Sequence, residues 1–214
     1  MCMCGRYHIE SEEQLGEMQA IIDEISRKYS EHTQVKTGEI YPTDVVPVIA
    51  KDGPQPMAWG FPWEDKYGKK HNTINARSET VADKWMFAKP LQERRVVIPT
   101  NGFYEWAHEG KKATDKYLFT LPDEPILYLA GIWSQYQSPD SIGSHFTILT
   151  TEANKGMAPF HDRMPVHISR NERDAWINDS RFVKEALMRP QPQLVPTLVN
   201  AMLKVAQNEQ MSLF

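Results

Sequence analysis

Five short runs rich in β-branched and aromatic residues follow one another at residues 95–99, 103–107, 117–121, 126–133 and 146–150, and they restrict the fold more than any other feature of the chain. Runs of this length, punctuated by turn residues, read as successive strands close enough in sequence to pair antiparallel. Glu109-Gly110 and Pro122-Asp123 are expected to turn two hairpins among them. Residues 45–50 predict an earlier strand, ended by Asp52-Gly53-Pro54, and residues 57–61 can pair with it. The charged stretch 64–72, with Lys66, Lys69, Lys70 and His71, reads as a loop.

Helical signals lie outside this block. Leu15, Met18, Ile22, Ile25 and Tyr29 recur at helical spacing behind the capping box Ser11-Glu12-Glu13-Gln14, predicting a helix over about 12–28. Ser78 can cap a short helix through 87. Ser169 with Glu172 forms a second capping box opening a helix to about 177, Ser180 can cap a third, and the end of the chain reads as helical to about 208. The 214 residues include six Trp, eight Tyr and eight Phe, enough for one substantial core. The expectation is one α+β domain over 1–209 with a largely antiparallel core flanked by helices, and a tail at 210–214.

A net charge of -4 excludes a uniformly basic nucleic-acid binder but leaves room for a local basic groove. No apolar run is long enough to cross a bilayer, and no basic region followed by an apolar stretch opens the chain, so neither membrane nor secretory leader is expected. The two cysteines, Cys2 and Cys4, are too close together to staple a fold, which suits a reduced, cytoplasmic protein.

Those cysteines carry distinctive chemistry if one of them leads the mature chain. A cysteine with a free α-amine presents an amine and a thiol two carbons apart. An aldehyde condenses with the amine to an imine, and the thiol then closes a five-membered thiazolidine. Internal cysteines cannot do this.

Besides Cys4-Gly5-Arg6, three polar segments, 73–80, 101–106 and 160–165, stand in apolar or aromatic settings. Glu105 lies between Tyr104 and Trp106 in a strand-like run. Alternation puts Phe103 and Glu105 on one face, where a half-buried carboxylate would suit acid/base work; an exposed glutamate is the alternative. His161-Asp162-Arg163 supplies a residue that titrates near neutrality, although a lone histidine is more often structural. Asn75 and Arg77 share a face if extended, an amide and a guanidinium able to grip a sugar hydroxyl and a phosphate; a turn asparagine and a surface arginine are the other reading. Trp59, Phe61 and Trp63 alternate, as a platform for unstacked bases or as core.

Taken together, Met3-Cys4-Gly5-Arg6-Tyr7, residues 74–80, Gly102-Phe103-Tyr104-Glu105-Trp106 and His161-Asp162-Arg163-Met164-Pro165 resemble the SRAP family, the SOS-response-associated peptidase-like proteins that process abasic sites. The resemblance runs from residue 3 to about residue 200. It implies an open, barrel-like β core, and a protein that binds single-stranded DNA and cross-links to the ring-opened aldehyde of an abasic site, shielding the lesion. It implies Cys4 as the cross-linking residue, Asn75 as the group orienting sugar and N-terminus, and Glu105 and His161 as the acid/base pair. Arg6 and Arg77 are implied as phosphate contacts, Thr150 as a wall of the site, and Trp63 as an aromatic at the DNA junction. Strand cleavage by β-elimination from the imine, and self-processing ahead of the cysteine, are further outcomes it allows.

The chain departs from the family pattern where Met1-Cys2 precedes Met3-Cys4, which leaves Cys2 as the alternative aminothiol. It also matches the family poorly at Ile40-Tyr41-Pro42-Thr43. The alternative activity is a thiol peptidase using Cys4, His161 and Glu105. Cys2 and Cys4 with a histidine are a weak zinc signal, and neither metal nor cofactor is expected. Gln210-Met211-Ser212-Leu213-Phe214 resembles the bacterial sliding-clamp-binding pentapeptide, with Gln210, Leu213 and Phe214 as anchors; helix packing on the core is the other reading. A monomer associated with the nucleoid is expected.

Overall fold

Every strand expected between residues 95 and 150 is present, but the chain distributes them over two sheets. The structure is a computed structural model and describes residues 5–10, 16–29, 34–109, 112–138 and 141–199. In chain order the elements are β1 (Tyr7–Ile9), α1 (Gly16–Lys28), β2 (Gly38–Ile40), β3 (Val45–Ala50), β4 (Gly53–Trp59), β5 (Phe61–Glu64), β6 (Lys70–Thr73), β7 (Asn75–Arg77) and α2 (Trp85–Glu93). They continue with β8 (Arg95–Thr100), β9 (Gly102–Glu109), β10 (Lys112–Thr120), β11 (Leu127–Ser138), β12 (Ser141–Glu152) and β13 (Arg163–Pro165). A single 3-10 turn, Arg170–Glu172, leads into α3 (Arg173–Asn178), α4 (Ser180–Met188) and β14 (Val195–Leu198).

One sheet is antiparallel, in the order β14-β10-β9-β1-β2. The other runs β11-β8-β3-β4-β12-β13, with β7 beside β12. Because β11 pairs with both β8 and β12, the strands β11, β8, β3, β4 and β12 close into a ring, which removes the exposed edges of an open sheet. Antiparallel pairing dominates, and the parallel contacts are those of β12 with β4 and β7. The expected α+β architecture with a barrel-like core is therefore what forms.

A shared core holds the two sheets together. Tyr7 and Phe103 from the first sheet, Trp59, Phe146 and Ile148 from the second, and Met18 from α1 belong to one buried cluster. The Trp59 ring lies 5.0 Å from Tyr7 and stacks on Phe146, and its indole N–H donates to the Ile74 carbonyl at 3.0 Å. That single residue docks β1, β12 and the entry to β7 on one another. Just beyond it the chain turns out of the sheet at Gly60 (φ 113°), where a Cβ would collide with the Asn72 side chain.

Several expectations are corrected. The Pro122-Asp123 turn makes no hairpin: β10 pairs with β9 and β14 while β11 pairs with β8 and β12, so this turn carries the chain between sheets, with Asp123 left-handed at φ 59°. The segment 64–72 is a loop at 65–69, as expected, but its two ends belong to a ribbon of β5 and β6. Asp65 Oδ1 accepts the N–H groups of Tyr67 and Lys69 and tightens its turn. Ser78 caps no helix, because turns follow it and the helix starts later, at Trp85, with Lys84 in the cap position; its N–H donates to the Thr150 carbonyl. Asp179, not Ser180, caps α4, accepting from the Arg181 N–H. Residues 195–198 are strand, since Val-Pro-Thr-Leu is poor helix material and pairs along β10. The Ser169–Glu172 capping box is present, opening the 3-10 turn ahead of α3. The Ser11 box, Cys2, Cys4 and the segment 210–214 lie outside the described residues.

Candidate active site

The site is built from three segments that converge where the two sheets meet. The first is β7, too short to stand alone, which runs parallel to β12 with Asn75 opposite Ile148 and Arg77 opposite Thr150. A parallel neighbour keeps side chains two apart on one face, so Asn75 and Arg77 share a side, as alternation predicts. Ala76 between them is buried, which fixes that choice of face. Thr150 is buried, and its carbonyl accepts from the Ser78 N–H (2.8 Å) and from Arg163 (2.7 Å).

The second segment is the loop 153–162. Asn154 organises it: its Oδ1 accepts the N–H groups of Gly156 and Met157, and its amide donates to the Pro192 carbonyl at 2.8 Å. The Ala153 N–H closes the loop on the Asp162 carbonyl. The loop ends on His161, whose side chain is only 10% exposed. His161 Nδ1 lies 3.1 Å from the Arg163 N–H, which donates to it. Asp162 Oδ1 lies 2.8 Å from the same Nδ1. The ring is thus held at its Nδ1 edge by both following residues.

The third segment is β9. Glu105 is 4% exposed, which decides between the two sequence readings in favour of the buried carboxylate. It lies opposite Tyr117, and Phe103 lies opposite Phe119. The rings of Tyr117 and Phe119 both meet Phe160 edge-on, at 4.9 and 5.0 Å. Phe160 immediately precedes His161, so the Phe103–Glu105 face of the first sheet looks onto the loop that carries the histidine. The Glu105 strand and the His161 loop thus border one region, with Tyr117, Phe119 and Phe160 between them.

The remaining predicted residues are placed differently. Trp59 and Phe61 are fully buried, so the aromatic alternation is mostly core; Trp63 alone of the three stays exposed, at 37%. Its ring stacks on His71 (4.3 Å, 16°) and its N–H donates to Thr73 Oγ1, on the ribbon that leads into β7. Arg77 is exposed and lines a cleft of 480 Å³ with Glu152, Ala158, Asp162 and Arg163. Arg6 lies on the opposite face of the first sheet from Tyr7 and pairs with Glu39 at 3.0 Å. Among the described residues no cluster of His, Cys, Asp and Glu is arranged to hold a metal ion.

Sequence reasoning passed over Arg163 and Glu79. Arg163 grips Glu79 through two bonds of 2.8 Å and also reaches the Thr150 carbonyl, clamping the segment after β7 to β12 and β13. The Glu79 carboxylate is held below its usual range by Arg163. Both residues stand inside quoted motifs, but they are 84 positions apart and nothing in the sequence pairs them.

Known proteins resemble this chain over most of its length. The sequence model of the family described as SOS response associated peptidase (SRAP) matches residues 3–206. Abasic site processing protein YoqW of Bacillus subtilis is 31% identical over 191 residues, covering 82% of this chain and 80% of that one. Abasic site processing protein YedK of Escherichia coli is 32% identical over 133 residues, 61% of this chain and 58% of its own. A solved structure of a protein from Bacteroides thetaiotaomicron superposes with a TM-score of 0.73 over 94% of both chains at 23% identity.

Proposed function

Because the chain belongs to the SRAP (SOS response associated peptidase) family, we propose that it processes abasic sites in single-stranded DNA, with Cys4 as leading residue of the mature chain forming the covalent link. The observation that carries this reading is the buried Glu105 facing the His161 loop, beside a β7 that presents Asn75 and Arg77 together.

The free aldehyde of an abasic deoxyribose is a minor species, so ring opening needs a proton delivered to the ring oxygen. His161, at the end of the loop facing the Glu105 strand, is the donor. Glu105 takes the proton from the α-amine, whose ordinary pKa of about 8 leaves it mostly protonated at neutral pH. The amine attacks the aldehyde carbon and one water leaves, giving an imine. The thiolate sulfur then adds to that carbon and the nitrogen takes up a proton, closing the thiazolidine with a net loss of one water. Asn75 orients the sugar, Arg77 takes a flanking phosphate in the cleft beside Asp162, and Thr150 walls the pocket. Trp63 stacks at the DNA junction. The imine also permits β-elimination, which would make strand cleavage a side reaction. Removal of residues 1–3, by this site or another agent, precedes the chemistry.

Intact-mass analysis before and after incubation with an abasic single-stranded oligonucleotide tests this. The expected adduct is protein plus oligonucleotide minus one water, located on Cys4. Acetylating the α-amine abolishes it; an adduct that survives acetylation would refute the mechanism. Amidase or peptidase turnover that survives the same acetylation would instead favour the thiol-peptidase reading with Cys4, His161 and Glu105. The pentapeptide Gln210–Phe214 is proposed to engage a bacterial sliding clamp; its deletion should abolish clamp binding with cross-linking intact, and undiminished binding would remove the idea.

A further inference from the structure

We infer that Glu39 is a positioning residue for the covalent reaction, acting through Arg6 to hold the leading residues of the chain at the Glu105 end of β9. The inference rests on the proposed role of Cys4.

β1 is only three residues long, and it is the described strand nearest that cysteine. Gly5 brings no side chain and has open space around it, so the first side chain able to fix the preceding residue is Arg6. Its backbone is already in register, since the Tyr104 N–H donates to the Arg6 carbonyl at 2.9 Å. Its side chain is gripped on the outer face of the sheet. The guanidinium bonds Glu39 Oε1 at 3.0 Å and lies 4.2 Å from the Tyr41 ring centre and 5.4 Å from that of Trp106. The same Glu39 oxygen accepts from Lys116 at 2.7 Å, and that ammonium sits 3.9 Å from the Tyr104 ring. One carboxylate on β2 thus ties β1 to β10 across the outer face of β9. All three charged side chains are about a third exposed or less, so solvent competes weakly.

The consequence is kinetic. A tethered aminothiol meets the sugar with its translational freedom already lost, and small misplacements of a reacting group cost large factors in rate. The single charge of Glu39 offsets part of the two cations, Arg6 and Lys116. Removing its charge frees positive potential, which by electrostatics alone would strengthen DNA binding. Tethering and charge therefore predict opposite outcomes.

The test uses the full chain with Cys4 leading, as wild type and Glu39→Gln. Single-turnover cross-linking is measured at saturating abasic oligonucleotide, and affinity is measured for an oligonucleotide carrying the tetrahydrofuran analogue, which has no aldehyde. Glu39→Gln should slow cross-linking about tenfold or more, with affinity unchanged or tighter. Amide exchange at Tyr104 should accelerate while the β11–β12 amides stay protected. The charge-swapped pair Arg6→Glu with Glu39→Arg should recover part of the rate. A Glu39→Gln rate equal to wild type, or an unchanged Tyr104 exchange rate, overturns the inference. A defect that shows only as weaker affinity and disappears at saturating oligonucleotide makes Arg6 and Glu39 a DNA contact and overturns it too. The exchange measurement stands apart from the chemistry, so wild type failing to cross-link through Cys4 would defeat the functional proposal and be seen separately from this one.

Discussion

Glu105 shows how far single residues can be read without a structure. Alternation along residues 103–107 assigned it to the Phe103 face, but nothing local said that this face would be covered. The cover comes from Phe119 and Phe160, the latter more than fifty residues away, so burial of the carboxylate is a long-range fact. A buried acid/base group of this kind typically contributes 10²–10⁴-fold to rate. Glu105→Gln, nearly isosteric, should therefore slow cross-linking about 10²-fold or more while the thermal midpoint moves little; a variant with wild-type single-turnover rate would remove Glu105 from the chemistry. His167 is a residue the sequence did not flag at all. Burial, and then the nearby Arg189, push its pKa down to about 4, while Glu172 works weakly against them. The unfolded chain, with a histidine near 6.5, binds the extra proton more readily than the folded one. Stability should therefore be intact above pH 6.5 and fall by about 2–3 kcal/mol between pH 6.5 and 4. Glu172, held down to about 2 chiefly by its bond to Arg189, adds a smaller, solvent-screened loss only below about pH 4.5. Urea titrations across pH 4–7 should show the first step shrink in His167→Gln, the remainder belonging to His8 and His145, which burial also pushes down; an unaltered profile in that variant would reassign it.

At the scale of elements, the strands with β-branched cores were legible and the pieces that depend on neighbours were not. β8 through β12 announced themselves by composition. β7 did not, because three residues form a strand only where β12 offers a free edge. The β6 side of the ribbon hid behind its polar residues, since Lys70, His71, Asn72 and Thr73 offer no apolar alternation for strand reading to rely on. The same blindness covers the Arg163–Glu79 clamp, which decides whether the segment after β7 stays against β12. Its bonds are charge-assisted and Arg163 is mostly buried, though Glu79 is 41% exposed and so partly screened. Arg163→Met should cost about 2 kcal/mol in a urea melt. It should also weaken DNA binding beyond what one lost cation explains, because Thr150 and Arg77 share the wall it braces. Glu79→Gln should reproduce part of both effects, and a double-mutant cycle with no coupling energy would show that the two residues act independently.

Across the whole molecule, composition announced one α+β domain, whereas the joining of its layers is written in polar contacts that periodicity cannot reveal. Arg95 begins β8 and was read only as a strand end. In the fold it is 5% exposed, and its guanidinium donates to four carbonyls. These are Leu91 and Gln92 in the last turn of α2, at 2.8 and 2.7 Å, and Trp176 and Ile177 in α3, at 2.6 and 3.1 Å. A cation there meets the negative ends of two helices at once and satisfies carbonyls that a helix terminus leaves open. The Trp176 indole completes the joint by donating to the Val96 carbonyl at 2.9 Å. Arg95 thus fastens two helices to the ring of strands, a role that a hydrophobic side chain of equal length cannot fill because it leaves the carbonyls buried and unpaired. Arg95→Met should lower unfolding free energy by about 3 kcal/mol, with the urea dependence unchanged, since the surface exposed on unfolding is the same. Arg95→Lys, a point charge that reaches fewer acceptors, should recover only part of the loss. If Arg95→Met instead unfolds at the wild-type midpoint, the helices are held by apolar packing alone, and the carbonyls must find other donors.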